Sequence, residues 1–337
     1  MGRHKKVERE VLQPKKPLQG KGLADWIFDT DDRSRLLEIK LNSYIRTYGL
    51  HSVHTSELEH AEMYERVYET APQELAALSE VQNGGKSYVL RPELRASLFR
   101  AFIERKPQEG HVFSKWATVG HVYTKDAKGR VVPDFHFVAE IFGSFNHMAE
   151  VLLLSGFWYF LQDLGFQNLS LEVNNLGDTH CQTAYAAQLK DFLGSRRFDL
   201  CNNCVSLWSK NALEVLRCQN YECQAVVADA PVIFDFLDEA TNKSFTSTLE
   251  ALDELSIPYQ LNHLYIAPEG VGRTTFVIRE SPTRTVLCSG GYHDEYLRVL
   301  GGKNMRSFGF EVSLTNILAH MTQYEAPTEL GVKYEVF

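Results

Sequence analysis

Four of the six cysteines lie close together in the chain, as Cys201-x2-Cys204 and Cys218-x4-Cys223. Four thiolates at such spacings suit the tetrahedral ligand set of a structural zinc ion, although the second spacer is wider than the common one. Reduced cysteines packed among helices are the alternative. Cys181 and Cys288 have no activating neighbour and read as small buried apolar groups. A second stretch with chemical content is FGFEVSLTNILAH, residues 308–320. Phe308, Phe310 and Val312 alternate with Gly309, Glu311 and Ser313, and Leu314, Ile317 and Leu318 then follow at helical spacing. Upstream, SGGYHDEYLRVLGG is bracketed by glycines that let backbone approach a ligand closely. A strand–helix junction beside such a loop is a frame for a nucleotide. A phosphate there would need a cation, yet the junction offers Thr315 and Asn316.

The elements that must carry these residues are legible in outline. Leu36, Leu37, Ile39, Leu41 and Ile45 form an apolar helical stripe behind an acidic turn, Asp29 to Asp32, and Gly49 ends it. Ser87–Leu90 reads as a short strand, followed by a turn at Pro92 and a helix with Leu94, Leu98, Phe99 and Phe102. Residues 112–143 alternate as a hairpin with its turn near Gly129. An apolar helix over 149–164 and a strand LSLEVNNLG come next. Residues 181–262 read as a helical block, after which LNHLYIAP, RTTFVIRES, RTVLCSGG and RSFGFEVSL return to strand. A mixed sheet interrupted by a helical block is an α+β arrangement with an inserted domain.

Composition narrows the class. Hydrophobic residues at 44% and charged residues at 23% suit a soluble globular protein. No apolar run approaches the roughly 18 residues of a membrane span, and the basic, polar N-terminus lacks a secretory core. Cytoplasmic location and no membrane contact are the expectation. The net charge of −8 hides a basic arm: residues 1–22 carry seven Lys/Arg against two Glu. Such an arm reads as solvated and flexible, or as a contact for RNA or an acidic protein partner.

YVLRPELRASLFRAF, then GRVVPDFHFVAEIFG, then GGYHDEYLRVLGG…FGFEVSL resemble, in order and spacing, the catalytic core of class II histidyl-tRNA synthetases. LEVNNLGD and the stretch from LCNNC to NKSF are similar to the lead-in and helical insertion of the bacterial enzymes. The resemblance covers about residues 20–325. It implies an α+β, class II synthetase-like antiparallel sheet flanked by helices, with a helical insertion and homodimerisation through the core. The organisation expected is arm 1–22, core 23–180, insertion 181–262, core 263–325 and tail 326–337, with no room for the family's anticodon-binding domain.

The resemblance also says which residues would work and which are missing. Three family arginines neutralise the anions that meet when a carboxylate attacks an α-phosphate. Their positions hold Thr124 (or Val122, by another gap), Ile266 and Asn316, and the family's paired tyrosines become Gly270 and Val271. Glu93 matches the carboxylate that meets the substrate amino group, with Arg95 in place of a threonine. Glu140 matches the carboxylate that reads the imidazole, and His136 stands where glutamine is usual. These four and Arg273, which matches a non-catalytic family arginine, form a candidate remnant pocket, whose two carboxylates either bind a cationic group or pair with Arg95 and Arg91. Asp294, after His293, reads as a turn cap. The expectation is a pseudo-synthetase with no catalytic residue and no ATP binding, acting as a binding or regulatory module. The alternatives are the regulatory subunit of ATP phosphoribosyltransferase, and a divergent aminoacyl ligase using Lys125, Lys128, Arg130 or Arg273 as replacement cations.

Overall fold

The computed structural model describes residues 32–69, 72–105, 113–143, 146–266, 272–302 and 305–321. The basic arm, the tail 326–337, Gly270 and Val271 lie outside the described residues. The described residues open with α1 (Asp32–Thr47), which buries Leu36, Leu37, Leu41 and Tyr44 and ends before Gly49, whose φ of +59° favours a residue without a side chain. Ile39 departs from the expected stripe: it faces outward, 44% exposed, because spacing 36-37-41-44 puts position 39 on the far arc.

β1 (His51–Ser52) and β2 (Leu58–His60) are short, followed by α2 (Ala61–Val67), α3 (Pro72–Ala76), β3 (Ser79–Asn83) and β4 (Lys86–Leu90). α4 (Arg95–Glu104) leads to the long hairpin β5 (Phe113–Lys125) and β6 (Val131–Gly143), whose turn contains Gly129 at φ +72°. α5 (His147–Asp163) and β7 (Leu169–Asn175) precede the helical block of α6 (Thr179–Ser195), α7 (Asn202–Leu207), α8 (Ala212–Val215), α9 (Tyr221–Val227) and α10 (Glu239–Glu254). β8 (Tyr259–Leu261), β9 (Gly272–Glu280), β10 (Thr285–Tyr292), α11 (Asp294–Val299), β11 (Ser307–Ser313) and α12 (Leu314–His320) complete it.

The main sheet has eight strands in the order β1-β5-β6-β11-β10-β9-β7-β8. Its interior pairs are antiparallel, and only the outermost pairs, β1 with β5 and β7 with β8, are parallel. β2, β4 and β3 form a small separate sheet. Alternation gives the main sheet two unlike faces. Ala117, Phe137, Ala139, Ile141, Phe308, Phe310, Phe276 and Val173 point to one face, where α1, α5, α10 and α12 seal the largest core. On the other, Leu94, Leu98, Phe99 and Phe102 in and just before α4 cover Trp116, Val122, Val138 and Phe142, with Leu297 of α11 beside them. The rest of that second face is mostly polar, with Val277 an exception.

Two expectations change. Among the described residues of LNHLYIAP, 261–266, only the first, Leu261, is strand. From there Asn262 makes a turn by accepting from Leu264 N at 3.1 Å, and Asn174 Nδ2 donates to the Tyr265 carbonyl at 2.8 Å. The helical block also divides: Tyr185, Leu189, Val215, Val226 and Ile233 form a core of their own, whereas Phe245 and Leu252 of α10 join the main core. Helices α4 and α5 bury most of their apolar residues inside their own chain. Met148, Leu152 and Tyr159 remain partly exposed on α5.

Candidate functional site

The polar face is assembled from alternate residues of β6 and β11. In register, Glu140 faces Gly309, Val138 faces Glu311 and His136 faces Ser313. His136 is held between two carboxylates, with Nδ1 2.8 Å from Glu311 Oε1 and Nε2 2.9 Å from Asp134 Oδ2. Both acceptors are ionic, so both ring nitrogens donate and the ring is an imidazolium. Burial alone would pull its pKa down, but the bonds from Asp134 and Glu311 outweigh that and carry it up to about 9. Burial raises the Glu311 carboxyl, and His136 outweighs it, holding Glu311 below the ordinary range. Asp134 is likewise held well below the ordinary range, His136 outweighing its burial. Ser313 Oγ donates to it at 3.0 Å.

Beside this triad stand Glu93 and Arg95, at the start of α4. Glu93 accepts from Ala96 N at 3.1 Å, capping the helix, and Glu311 accepts from Leu94 N at 3.1 Å. Burial, with Glu311 adding to it, pushes Glu93 up to about 8. Arg95 lies 4.0 Å from Glu311 and 5.9 Å over the Tyr296 ring. Glu140 is fully buried; it accepts from Ser307 Oγ and lies 3.0 Å from His293 Nδ1. Burial pushes it, too, up to about 8. His293, equally buried, is held well below its ordinary value by burial and then by the Arg95 charge, so it is neutral. Asp294 accepts from Ser307 N at 2.8 Å and ties α11 to β11, a helix-to-strand bond in place of the turn cap expected of it.

The structure therefore brings Glu93, Arg95, His136 and Glu140 together. Arg273 stands apart, opening β9 at φ +43° with its guanidinium 5.7 Å over Tyr292, whose hydroxyl donates to Glu150. Arg91 is not a partner of the carboxylates. Its Nε donates to the His121 carbonyl at 2.7 Å, and its Nη1 serves the Thr55 and Ser56 carbonyls and the Thr55 hydroxyl. At neutral pH Glu93 and Glu140 are largely protonated, and His136 and Arg95 balance Asp134 and Glu311. The cluster neutralises itself.

The three positions matched to family arginines fall in separate parts of the fold. Thr124 is near the outer end of β5, paired with Val132 and exposed. Asn316 turns its Nδ2 onto the Val286 carbonyl at 2.9 Å. Ile266 packs against the core of the helical block. Among the candidate replacements, Lys125 donates to the Leu78 carbonyl at 2.5 Å and Arg130 pairs with Asp126 at 2.6 Å, while Lys128 sits at the hairpin turn.

Ile266 also lines a cleft of about 900 Å³ between the helical block and the β7–β9–β10 part of the polar face. Glu172 is buried in its floor, bonded by Arg279 Nε at 3.2 Å, Arg284 Nη2 at 2.8 Å and Asn262 Nδ2 at 2.6 Å. Cys218, from the other wall, belongs to the cysteine quartet. The four sulfurs of Cys201, Cys204, Cys218 and Cys223 all lie within 4.8 Å of one another, and Cys201 and Cys218 are 3.9 Å apart. A tetrahedron with Zn–S of about 2.3 Å has an edge of about 3.8 Å, so the donor set fits zinc. Backbone N–H groups already point at the sulfurs: Cys201 N donates to Cys223 Sγ at 3.2 Å and Asn220 N to Cys218 Sγ at 3.4 Å. The quartet can hold a metal ion such as zinc.

Glu311, Asp134, Tyr296 and the Glu172 network were not singled out from the sequence. Glu311 and Asp134 do carry a signal, as charged residues on the His136 face of otherwise apolar strands; Tyr296 and Glu172 depend on contacts made across the fold.

No family model matches the chain. A histidine–tRNA ligase of Protochlamydia amoebophila (strain UWE25) is 30% identical over 300 residues, covering 86% of this chain and 70% of that protein. Among solved structures, apo histidyl-tRNA synthetase of S. aureus superposes with a TM-score of 0.72 at 22% identity, over 90% of this chain and 73% of that one. An ATP phosphoribosyltransferase regulatory subunit/histidyl-tRNA synthetase from Bacillus halodurans C gives 0.66 at 17% identity, over 93% and 85%. These likenesses show the fold: a class II synthetase-like α+β core, related also to the regulatory-subunit architecture.

Proposed function

The chain belongs to the histidine–tRNA ligase family, and from that membership we propose that it is a pseudo-synthetase, a core that binds or regulates without activating histidine. The observation that carries the reading is the set Thr124, Ile266 and Asn316 at the three arginine positions, beside a charge cluster that has no cation to spare. Lys125 and Arg130 are engaged elsewhere, which removes two of the four replacement cations open to a divergent ligase. Each lost donor costs about 3 kcal/mol of transition-state stabilisation, so three would slow adenylate formation by roughly six orders of magnitude. Pyrophosphate exchange with histidine and ATP is expected at background, with weak ATP binding by calorimetry. Exchange at rates ordinary for a synthetase would overturn the proposal.

A second reading, the regulatory subunit of ATP phosphoribosyltransferase, draws support from the coverage of 93% and 85% in the likeness to the Bacillus protein. Co-purification with a short phosphoribosyltransferase chain would favour it; recovery of tRNA or an unrelated protein would not. In either reading the protein is proposed to be cytoplasmic and to work as a homodimer, with the basic arm available to RNA or a protein partner. No helix among the described residues is long and apolar enough to cross a membrane.

A further inference from the structure

Two arginines flank Glu93, and they are used differently. Arg91 spends its Nε and Nη1 on four protein oxygens, the pattern of a guanidinium that holds structure together. Arg95 has its side chain only 12% exposed, yet its Nε has no hydrogen-bond partner and its nearest carboxylate contact is the 4.0 Å approach to Glu311. The acids around it do not depend on it for their positions. Glu93 is anchored on Ala96 N, Glu311 on His136 and Leu94 N, and Glu140 on Ser307 and His293. Tyr296 supplies an aromatic wall.

Further polar atoms sit unpartnered in the same region. Glu140 Oε2 and His293 Nε2, on fully buried side chains, have no partner among the described residues. The Arg95 charge acts on both groups. Gly309 makes room for the Glu140 carboxylate, since a Cβ there would lie 2.2 Å from Oε2.

We propose that the Arg95 side chain is a tethered occupant of a cation-binding site in which Glu311 supplies the charge and Glu93, Glu140 and Tyr296 complete the walls. The ligand class of that site is a monosubstituted guanidinium or primary ammonium group. The inference rests on the pseudo-synthetase reading and deepens it: the pocket refuses a free amino acid because the chain fills it with a cation of its own. Shape and charge are set by side chains anchored elsewhere, so removing the Arg95 head group leaves the walls in place.

The test uses the full chain with Arg95→Ala, and Arg95→Met as a variant that keeps an apolar stem should the first fail to fold. Methylguanidinium is titrated in the millimolar range while thermal unfolding is followed. The variant is expected to melt below the wild type and to regain most of the loss saturably. Urea, a neutral isostere, should give no such recovery at the same concentrations. Wild type and Arg95→Lys, which both keep a tethered cation, should not respond. The proposal fails if the wild type responds as the variant does, if urea acts equally, or if the folded variant shows no saturable recovery. Exchange activity is a separate readout: synthetase-like exchange by the wild type would sink the pseudo-synthetase reading, whereas lack of rescue sinks only this one.

Discussion

Replacing His136 by glutamine tests the charge balance of the polar face. The imidazolium is stabilised by Asp134 and Glu311, which carry its pKa from 6.5 to about 9. A rise of this size corresponds to about 3 kcal/mol of stability. The sign follows from proton linkage. A folded-state pKa above the unfolded one means that the native protein binds the extra proton, so the stabilisation is fully present below pH 6.5, declines as pH rises, and is gone above pH 9. Glu93 and Glu140, pushed from 4.5 to about 8, also make the native state lose stability with rising pH, over an earlier window. Those contributions are shared by wild type and variant and largely cancel in the difference. Urea unfolding of both proteins across this range is the assay. His136→Gln should be less stable by about 3 kcal/mol at the acid end, and the gap should close toward zero at the alkaline end. A gap that is constant with pH, or that widens as pH rises, would refute the argument, because it would mean that His136 contributes packing rather than a charge.

Protein purified without chelator should contain about one zinc per chain, and Cys204→Ser should loosen the helical block while the main sheet stays folded, seen as local loss of hydrogen-exchange protection. Zinc-free protein with a fully protected block would contradict this. Sedimentation at micromolar concentration should give a species of about twice the 38.4 kDa chain, and a monomer alone would count against the homodimer.

Much of the architecture was legible because its signals are local. The strand Phe308–Val312, the hairpin around Gly129 and the helix ending at Gly49 each follow from period and turn chemistry within a dozen residues. Glu93, Arg95, His136 and Glu140 were found through their place in ordered motifs, and they do meet. Arg273 was grouped with them by the same means, but the register that places it beside Tyr292 on β9 is not a property of its neighbours in sequence. Ile39 and LNHLYIAP went astray because which arc of a helix is covered, or whether a strand finds a partner, depends on distant segments.

By itself the sequence determined the residue types at each motif position, and hence the presence of four closely spaced thiols and the expectation that three family arginines are missing. Only the tertiary structure decided what the remaining charges do. Arg91 and Arg95 lie four residues apart in nearly the same motif, yet one is bonded to carbonyls and the other faces carboxylates. The physical reason is range. Backbone preferences act over a few residues, whereas the protonation of Glu93, His136 and Glu140 is set by burial and by the Glu311 carboxylate, brought in on β11 across more than a hundred residues of chain.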